Sequence, residues 1–415
     1  MHRPVRNALH KMLEATLPSR PVTLMLVCGE PSGDQLGAEL MAGLKTLAPA
    51  IRIVGVGGQA MTAQGLQSLF PLDDTAVMGL REVVPRIPKI LRRVREASDF
   101  ALATRPDAVV LIDSPDFTHR IARRLKRRDP SIRTVNYVAP QVWASRQYRA
   151  RKMGRYFDLV LALLPFEAPF FEAHGVHAAF VGHPVIERAG RMTGGDALRN
   201  RLGIAADAPV LAVLPGSRMN EVRLLLSPFR DAIARLVNSF PDMVCLLPTV
   251  PHVAAAVRAG TVNWPAPLHI LEGDANRFSA FDAADAALAA SGTVTTELAL
   301  AHTPMVVAYR FGWLTYALGK PFVSVKFATL VNIILDRAAV PEFIQGRCTG
   351  QNLADALIPL LRDTPARRKQ IEDLDAATDE LGVGHELPSL RAARALLDFV
   401  REKPPTVQAR LLTGT

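Results

Sequence analysis

With 415 residues the chain has length for two domains, because single cores rarely keep growing past ~250–300 residues. Hydrophobic residues make up 49% and charged residues 21%, which excludes a disordered chain. The formal net charge of +10 points to an anionic partner, and composition does not choose among nucleic acid, an anionic membrane and an anionic substrate.

Residues 1–21 are basic but lack a long apolar core and a small-residue cleavage site, so they read as an N-terminal extension and not as a signal peptide. No uninterrupted apolar run reaches the ~18 residues a membrane span needs. Cys28, Cys245 and Cys348 are far apart and form no C-x-x-C. They fit reduced thiols in the cytoplasm, with no disulfide framework and no zinc site.

Apolar runs of strand length then recur between helix-length segments. In the first half they are Thr23–Val27, Ile51–Val56, Ala108–Ile112, Thr134–Val138, Leu159–Leu163 and Ala179–Val181. After a polar stretch at Glu187–Gly203 the pattern resumes with Val210–Leu214, Val244–Leu247, Leu268–Leu271, Ala286–Ala289 and Met305–Ala308. Continuous apolar strands alternating with helices are the pattern of parallel sheets covered on both faces. The expected fold is α/β, with two doubly wound domains at 22–188 and 189–384, the first completed by a helix at 385–402. In such sheets ligands sit beyond the carboxyl ends of the strands, so the post-strand turns carry the functional reading.

The first such turn is VCGEPSGDQLGAEL. Gly29 and Gly33 permit close backbone approach, and Ser32 suits an N-cap. Glu30 and Asp34 would repel a bare phosphate but suit sugar hydroxyls. Neither G-x-G-x-x-G nor the GK[ST] of a P-loop is present, which speaks against a dehydrogenase. The plain alternative is a capped helix start with Asp34 complementing the dipole. In VLIDSPDFTHR, Asp113 and Asp116 follow a buried strand. A partly desolvated carboxylate is a good proton acceptor, so one of the two is expected to be catalytic and the other an Asx-type cap.

NYVAPQVWASRQYRARKMGR sets Tyr137, Trp143 and Arg146 among further cations, a composition suited to stacking on sugars, to phosphate or to RNA. His183, in VGHPVIER, follows another strand where the domains would meet. In the second half, LPGSRMNEV places Gly216, Ser217 and Arg218 at a helix start, where free N–H groups, the helix dipole and a guanidinium suit an anion. ASGTVTTELAL repeats the device with Ser291, Gly292 and Thr293, and Glu297 follows where it can accept from a ribose diol. Two such starts in one domain suggest a nucleoside diphosphate. The bland reading of each is a capped helix with a solvated side chain.

Together VCGEPSGDQLGAEL, AVMGLREV, LIDSPDF, YVAPQVWASR, LPFE, FVGHPV, LPGSR-x-x-EV and ASGTVTTELAL resemble the lipid A disaccharide synthase family, in order over nearly the whole chain. The resemblance implies a GT-B fold, two Rossmann-like domains facing across a cleft. It implies a cytoplasmic enzyme, peripheral on the inner face of the inner membrane. The enzyme would transfer 2,3-diacylglucosamine from its UDP derivative to 2,3-diacylglucosamine 1-phosphate (lipid X), inverting the anomeric carbon and releasing UDP. Asp113 would then take the proton from the acceptor 6-hydroxyl. Arg218 with Gly216, Ser217, Glu221 and Ser291–Thr293 would meet the UDP, as would Thr296, Glu297 (on the ribose) and Asn332. Gly29, Glu30, Ser32, Gly33 and Asp34, with Tyr137, Trp143, Arg146 and His183, would face the sugars. No metal and no cofactor are implied, and a homodimer is. Gln141 and Ser145 depart from the family's Ser-Val-Trp-Ala-Trp.

In that setting GLREVVPRIPKILRRVREASDF acquires a meaning. Val83, Val84, Ile87, Ile90 and Leu91 beside a basic flank suit a helix lying on an anionic leaflet, the alternative being a core helix with a solvated basic face. The competing functions are another GT-B UDP-sugar enzyme, such as a UDP-sugar 2-epimerase or an undecaprenyl-linked sugar transferase, and an RNA-binding protein favoured by charge alone. Without RNP-type aromatics or a helix-turn-helix pattern, no nucleic acid is expected.

Overall fold

The computed structural model describes residues 21–75, 80–143, 147–310 and 326–402, and for 80–85 the backbone alone. The chain divides into two compact units, one running to Gly182 and resuming at Glu386, the other spanning His183–His385. Each is built on a six-stranded parallel sheet.

The first unit contains β1 (Thr23–Cys28), β2 (Arg52–Val56), β3 (Ala108–Ile112), β4 (Thr134–Tyr137), β5 (Leu159–Ala162) and β6 (Ala178–Phe180), in the spatial order β2-β1-β3-β4-β5-β6. Side chains alternate between faces along a strand, and β1 shows what that dictates when both faces are covered. Leu24, Leu26 and Cys28 join a core with Leu40 and Leu44 of the helix Pro31–Leu47. Met25 and Val27 join a different core, with Ala97 of the helix Leu80–Thr104 and Ile121 of the helix Pro115–Arg128. The C-terminal helix Pro388–Arg401 closes the first of these cores with Ala393, Leu396 and Leu397. A Cβ on Gly43 would stand 2.7 Å from the Ser389 carbonyl oxygen, so only glycine lets the two helices meet there.

The second unit contains β7 (Val210–Leu214), β8 (Val244–Thr249), β9 (Leu268–Glu272), β10 (Ala286–Ala290), β11 (Met305–Tyr309) and β12 (Glu342–Ile344), in the order β12-β11-β10-β7-β8-β9. Leu211 and Val213 face one core with Phe229 and Ile233, while Val210 and Leu246 face another with Leu198.

Both sheets reverse direction once. From β1 the chain steps outward to β2, then returns to lay β3 on the other side of β1. In the second sheet the chain steps from β7 out to β8 and β9, then returns to lay β10 on the other side of β7. Such a switch point leaves a crevice at the strands' carboxyl ends where no connection crosses. The register pairs Cys28 with Ile112 and Leu214 with Ala289, so in each unit the turns after the two central strands emerge side by side.

Candidate active site

At the first switch point the turns of Glu30–Ser32 and Asp113–Asp116 touch. The Ser32 hydroxyl donates to Asp113 Oδ2 at 3.2 Å. A Cβ on Gly29 would lie 2.8 Å from Ser114 Cβ, so the missing side chain is what lets the turns close. Asp113 and Ser114 both take left-handed backbone, φ 52° and 44°, an unusual state for two successive non-glycine residues. The turn is held there by the Asp113 N–H donating to the Tyr137 carbonyl at 3.0 Å and by Thr118 Oγ1 donating to the Asp113 carbonyl at 2.6 Å. Strain of ~1–3 kcal/mol per such residue persists where surroundings over-determine it, typically in functional turns. A pocket of about 310 Å³ opens beside it, lined by Glu30, Ser114 and Asp116. Ile87, Ile90 and Leu91 also line it.

Several first-unit residues read as sugar contacts have other tasks. Asp34 is buried, and its carboxylate accepts from the N–H groups of Gly58 (2.7 Å), Ala60 (2.8 Å) and Met61 (3.1 Å). It caps the helix Gln59–Ala63 and does not face the pocket. Gly33 packs under the turn, where a Cβ would meet Cys28 Cβ at 3.0 Å. Tyr137 is a fully buried core residue, not a stacking platform. Trp143 is half-buried: its indole N–H donates to Glu167 Oε1 at 2.9 Å and its ring meets Phe166 edge-on. Burial pushes the Glu167 carboxyl up, against the opposing pull of the Leu164 and Leu163 N–H groups and the Trp143 indole. Arg146 and the side chains of Val83 and Val84 lie outside the described residues.

At the second switch point a pocket of about 390 Å³ is lined by the turn Gly216–Arg218, the helix start Ser291–Val294 and Glu297. Gly216 takes φ 109°, and a Cβ there would strike the Glu221 carboxylate. Glu221 is the hub of this turn. Its Oε2 accepts from the N–H groups of Ser217 (3.1 Å) and Arg218 (3.2 Å), and its Oε1 from the Arg218 guanidinium (2.9 Å) and the Tyr309 hydroxyl (3.3 Å). The N–H groups expected to be free for an anion are thus partly taken, and the cation offered to a ligand is the largely exposed Arg218 side chain. The Glu221 carboxylate also raises the Arg218 pKa and so keeps the guanidinium charged.

Glu297 is buried at the pocket wall, and its Oε1 accepts from Arg188 at 2.7 Å and Arg277 at 3.4 Å. Both arginines line the pocket and were not singled out in the sequence. The only sign of Arg188 was its place in the post-strand VGHPVIER. His183 belongs to the second unit, where Nδ1 accepts the Val185 N–H at 3.2 Å and caps the 3-10 helix Pro184–Arg191. Burial, aided by Arg188, pushes its imidazole down to about 4, so it is neutral at physiological pH.

Two residues read as nucleotide contacts are interior. Thr296 is fully buried and off the pocket lining. Asn332 is fully buried, donating to the Val340 carbonyl and to Glu342 Oε1 (2.8 Å each) while accepting the Val340 N–H at 2.8 Å. Its bonds pin the segment before β12. Ser291 Oγ donates to the Ala328 carbonyl at 2.9 Å. Among the described residues no group of three or more His, Cys, Asp or Glu is arranged to hold a metal, and no helix is long and apolar enough to cross a membrane.

The sequence pattern of the "Lipid-A-disaccharide synthetase" family matches residues 24–387. The "Lipid-A-disaccharide synthase" of Rhodospirillum centenum is 47% identical over 385 residues, covering 92% of this chain and 96% of its own. That of Rhodopseudomonas palustris is 46% identical over 381 residues, covering 91% and 96%. Among solved structures, a putative UDP-N-acetylglucosamine 2-epimerase from Listeria monocytogenes aligns with a TM-score of 0.61 at 14% identity, over 92% of this chain and 96% of its own. MurG of Acinetobacter baumannii aligns at 0.57 and 16%, over 92% and 100%. Those two likenesses concern the fold, the pair of Rossmann-like domains of the GT-B class. With strands, switch points and sequence in agreement over nearly its whole length, the chain belongs to the lipid-A-disaccharide synthase family, the glycosyltransferases of lipid A biosynthesis.

Proposed function

We propose that the chain joins UDP-2,3-diacylglucosamine to 2,3-diacylglucosamine 1-phosphate, releasing UDP in a single inverting displacement, and that its two switch-point pockets divide the work. The observation that carries this reading is the second pocket. Arg218, Arg188 and Arg277 border it together with a helix start, and the buried Glu297 sits in its wall. Guanidinium groups and a helix N-terminus suit a diphosphate. As UDP departs, its growing charge is stabilised by groups already in place, the efficient form of electrostatic catalysis. Glu297 Oε1 is held by the two arginines, and the carboxylate accepts from the ribose hydroxyls.

In the first unit Asp113 takes the proton of the acceptor 6-hydroxyl, with Ser32 orienting its carboxylate at 3.2 Å and Glu30 holding sugar hydroxyls. Asp116 lines the pocket at the second position of its helix and serves the acceptor sugar. The test is product analysis: disaccharide 1-phosphate and UDP appear only when both substrates are present. Epimerised UDP-sugar without acceptor would instead reveal a 2-epimerase.

The site also belongs at a membrane surface, because both substrates are lipids. Arg86, Arg92 and Arg95 stand exposed on the helix Leu80–Thr104, whereas Arg93 and Lys89 pair with Asp74 and are spent within the fold. Exposed cations contribute about 1 kcal/mol each at an anionic leaflet. Arg86→Glu, Arg92→Glu and Arg95→Glu together should therefore weaken sedimentation with phosphatidylglycerol vesicles by orders of magnitude, while unchanged binding would remove the surface. The family resemblance adds a homodimer on the cytoplasmic face of the inner membrane, which sedimentation equilibrium tests.

A further inference from the structure

Arg120 stands out at the pocket of the first unit. Glu30 and Asp116 bring carboxylates to that pocket, and Arg120 is the one cation among the described residues that line it. Its Nε donates to the Asp116 carbonyl at 2.8 Å, which anchors the side chain beside the start of the helix Pro115–Arg128. No carboxylate among the described residues pairs with the guanidinium, so its terminal nitrogens remain for an occupant.

A second, independent observation lies at the start of the same helix. Ser114 is the N-cap residue, but on its left-handed backbone the hydroxyl makes no capping bond. Ser114 is 6% exposed, lines the pocket, and its hydroxyl has no hydrogen-bond partner among the described residues. Phe117 and Thr118 return their N–H groups to the Ser114 carbonyl at 3.0 Å each, and Pro115 has no N–H to give. The Asp116 N–H is thus the free one at this helix start, among the described contacts. Buried polar groups are normally satisfied, so an unsatisfied hydroxyl lining a pocket asks for a partner atom from the occupant. The positive end of the helix lies there too, and it suits an anion.

In the reaction proposed above, the two substrates carry the same acylated sugar and differ only at C1, where one bears UDP and the other a phosphomonoester. The group at C1 is therefore what tells acceptor from donor. Resting on that reading, we propose that Arg120, the Ser114 hydroxyl and the Asp116 N–H bind the phosphate of the acceptor, Arg120 being the residue that sets this specificity. A forked guanidinium matches a single phosphoryl group. Glu30 and Asp116 limit the negative charge that the pocket admits and so count against a nucleoside diphosphate, for which the other pocket offers three arginines. Such repulsion of the wrong ligand is as much a part of specificity as attraction of the right one.

The test uses the full-length enzyme in detergent micelles, with UDP-diacylglucosamine as donor and two acceptors, diacylglucosamine 1-phosphate and its 1-O-methyl glycoside. Arg120→Ala should raise KM for the phosphate roughly tenfold to a hundredfold, the contribution of a hydrogen bond to a charged group. KM for the methyl glycoside and for the donor should stay within about twofold. Arg120→Lys, a point charge without the fork, should recover part of the loss. Ser114→Gly removes the hydroxyl where glycine adopts the left-handed backbone freely, and should raise KM for the phosphate alone. Calorimetry of glucosamine 1-phosphate on the UDP-saturated enzyme reads the same site without turnover. Wild-type affinity should rise with pH as the phosphate loses its second proton near ~6, and the rise should flatten in Arg120→Ala. An unchanged KM in Arg120→Ala overturns the inference, as does an equal loss for both acceptors. A weaker UDP complex in that variant would assign Arg120 to the nucleotide and overturns it as well. A wild type that binds glucosamine 1-phosphate through Arg120 yet forms no disaccharide would instead sink the functional reading and leave the phosphate site standing.

Discussion

Ser32 donates its hydroxyl to Asp113 Oδ2 at 3.2 Å, and this one contact joins the turns that leave β1 and β3. It places the carboxylate at the crevice of a doubly wound sheet, on backbone held left-handed at φ 52°. The same geometry selects the informative variant. Asparagine tolerates that backbone, so Asp113→Asn removes the basicity without disturbing the turn. Turnover should fall by about 10²–10⁴, the usual contribution of a positioned base. UDP affinity measured by calorimetry should not change, since the residues proposed to hold the nucleotide belong to the other unit. Retained turnover would take Asp113 out of the role and leave Asp116 as the alternative.

Glu297 gives a second test, in which the ligand supplies one of the changes. Glu297→Gln keeps the size of the side chain and removes its charge. A hydrogen bond to a charged group contributes about 1.5–3 kcal/mol, so the UDP dissociation constant should rise at least tenfold. With a 2′,3′-dideoxy analogue of UDP, wild type and variant should differ much less, and the interaction term of the cycle isolates the ribose contact. An equal loss for both ligands would mean that Glu297 only organises Arg188 and Arg277.

Eleven of the strands were legible as apolar runs because a parallel sheet covered on both faces needs apolar side chains at every position. β12 was not: Glu342–Ile344 is three half-buried residues beginning with a carboxylate that binds Thr329 and Asn332. The turns at Asp113 and Gly216 were equally readable, since topology alone puts the residue after a central strand at a crevice. Partners were not readable. Asp34 and Glu30 look alike in sequence, but Asp34 meets the N–H groups of Gly58, Ala60 and Met61 from beyond β2. Arg188 and Arg277 gained their place only when folding brought them to Glu297. At 87–91 the sequence gives the amphipathic stripe but not that Ile87, Ile90 and Leu91 line a pocket with Ser114 and Asp116.

Asp34 and Asn332 should therefore act on stability and not on chemistry. Asp34→Ala leaves three N–H groups at the start of Gln59–Ala63 without their acceptor, and Asn332→Ala strands the Val340 N–H and carbonyl. Losing the partner of a buried polar group costs about 1–3 kcal/mol. Both variants should melt several degrees lower, while kcat per folded molecule and the UDP dissociation constant stay within twofold of wild type at a temperature where they remain folded. A tenfold weaker UDP complex in folded Asn332→Ala would return that residue to the nucleotide site.

His119 makes the first unit acid-sensitive. Its ring is buried against Phe157 and Tyr156, with Nδ1 3.3 Å from the Tyr156 hydroxyl, and that hydroxyl accepts from Arg123 at 3.2 Å. Desolvation, helped by the nearby Arg123 charge, pushes its pKa down to about 4. An unfolded histidine titrates near ~6.5, so between these values the unfolded chain binds a proton that the folded one refuses. Stability then rises with pH across that window: it is complete above ~6.5 and is lost as pH falls toward 4. The full loss is on the order of 3 kcal/mol. His119→Phe removes the titration and keeps an aromatic ring in an aromatic site. In urea titrations from pH 7 to pH 4 the variant should lose less stability than wild type, the gap opening below ~6.5. Parallel curves would mean that His119 is protonated in the folded protein, which its buried ring and the neighbouring guanidinium oppose.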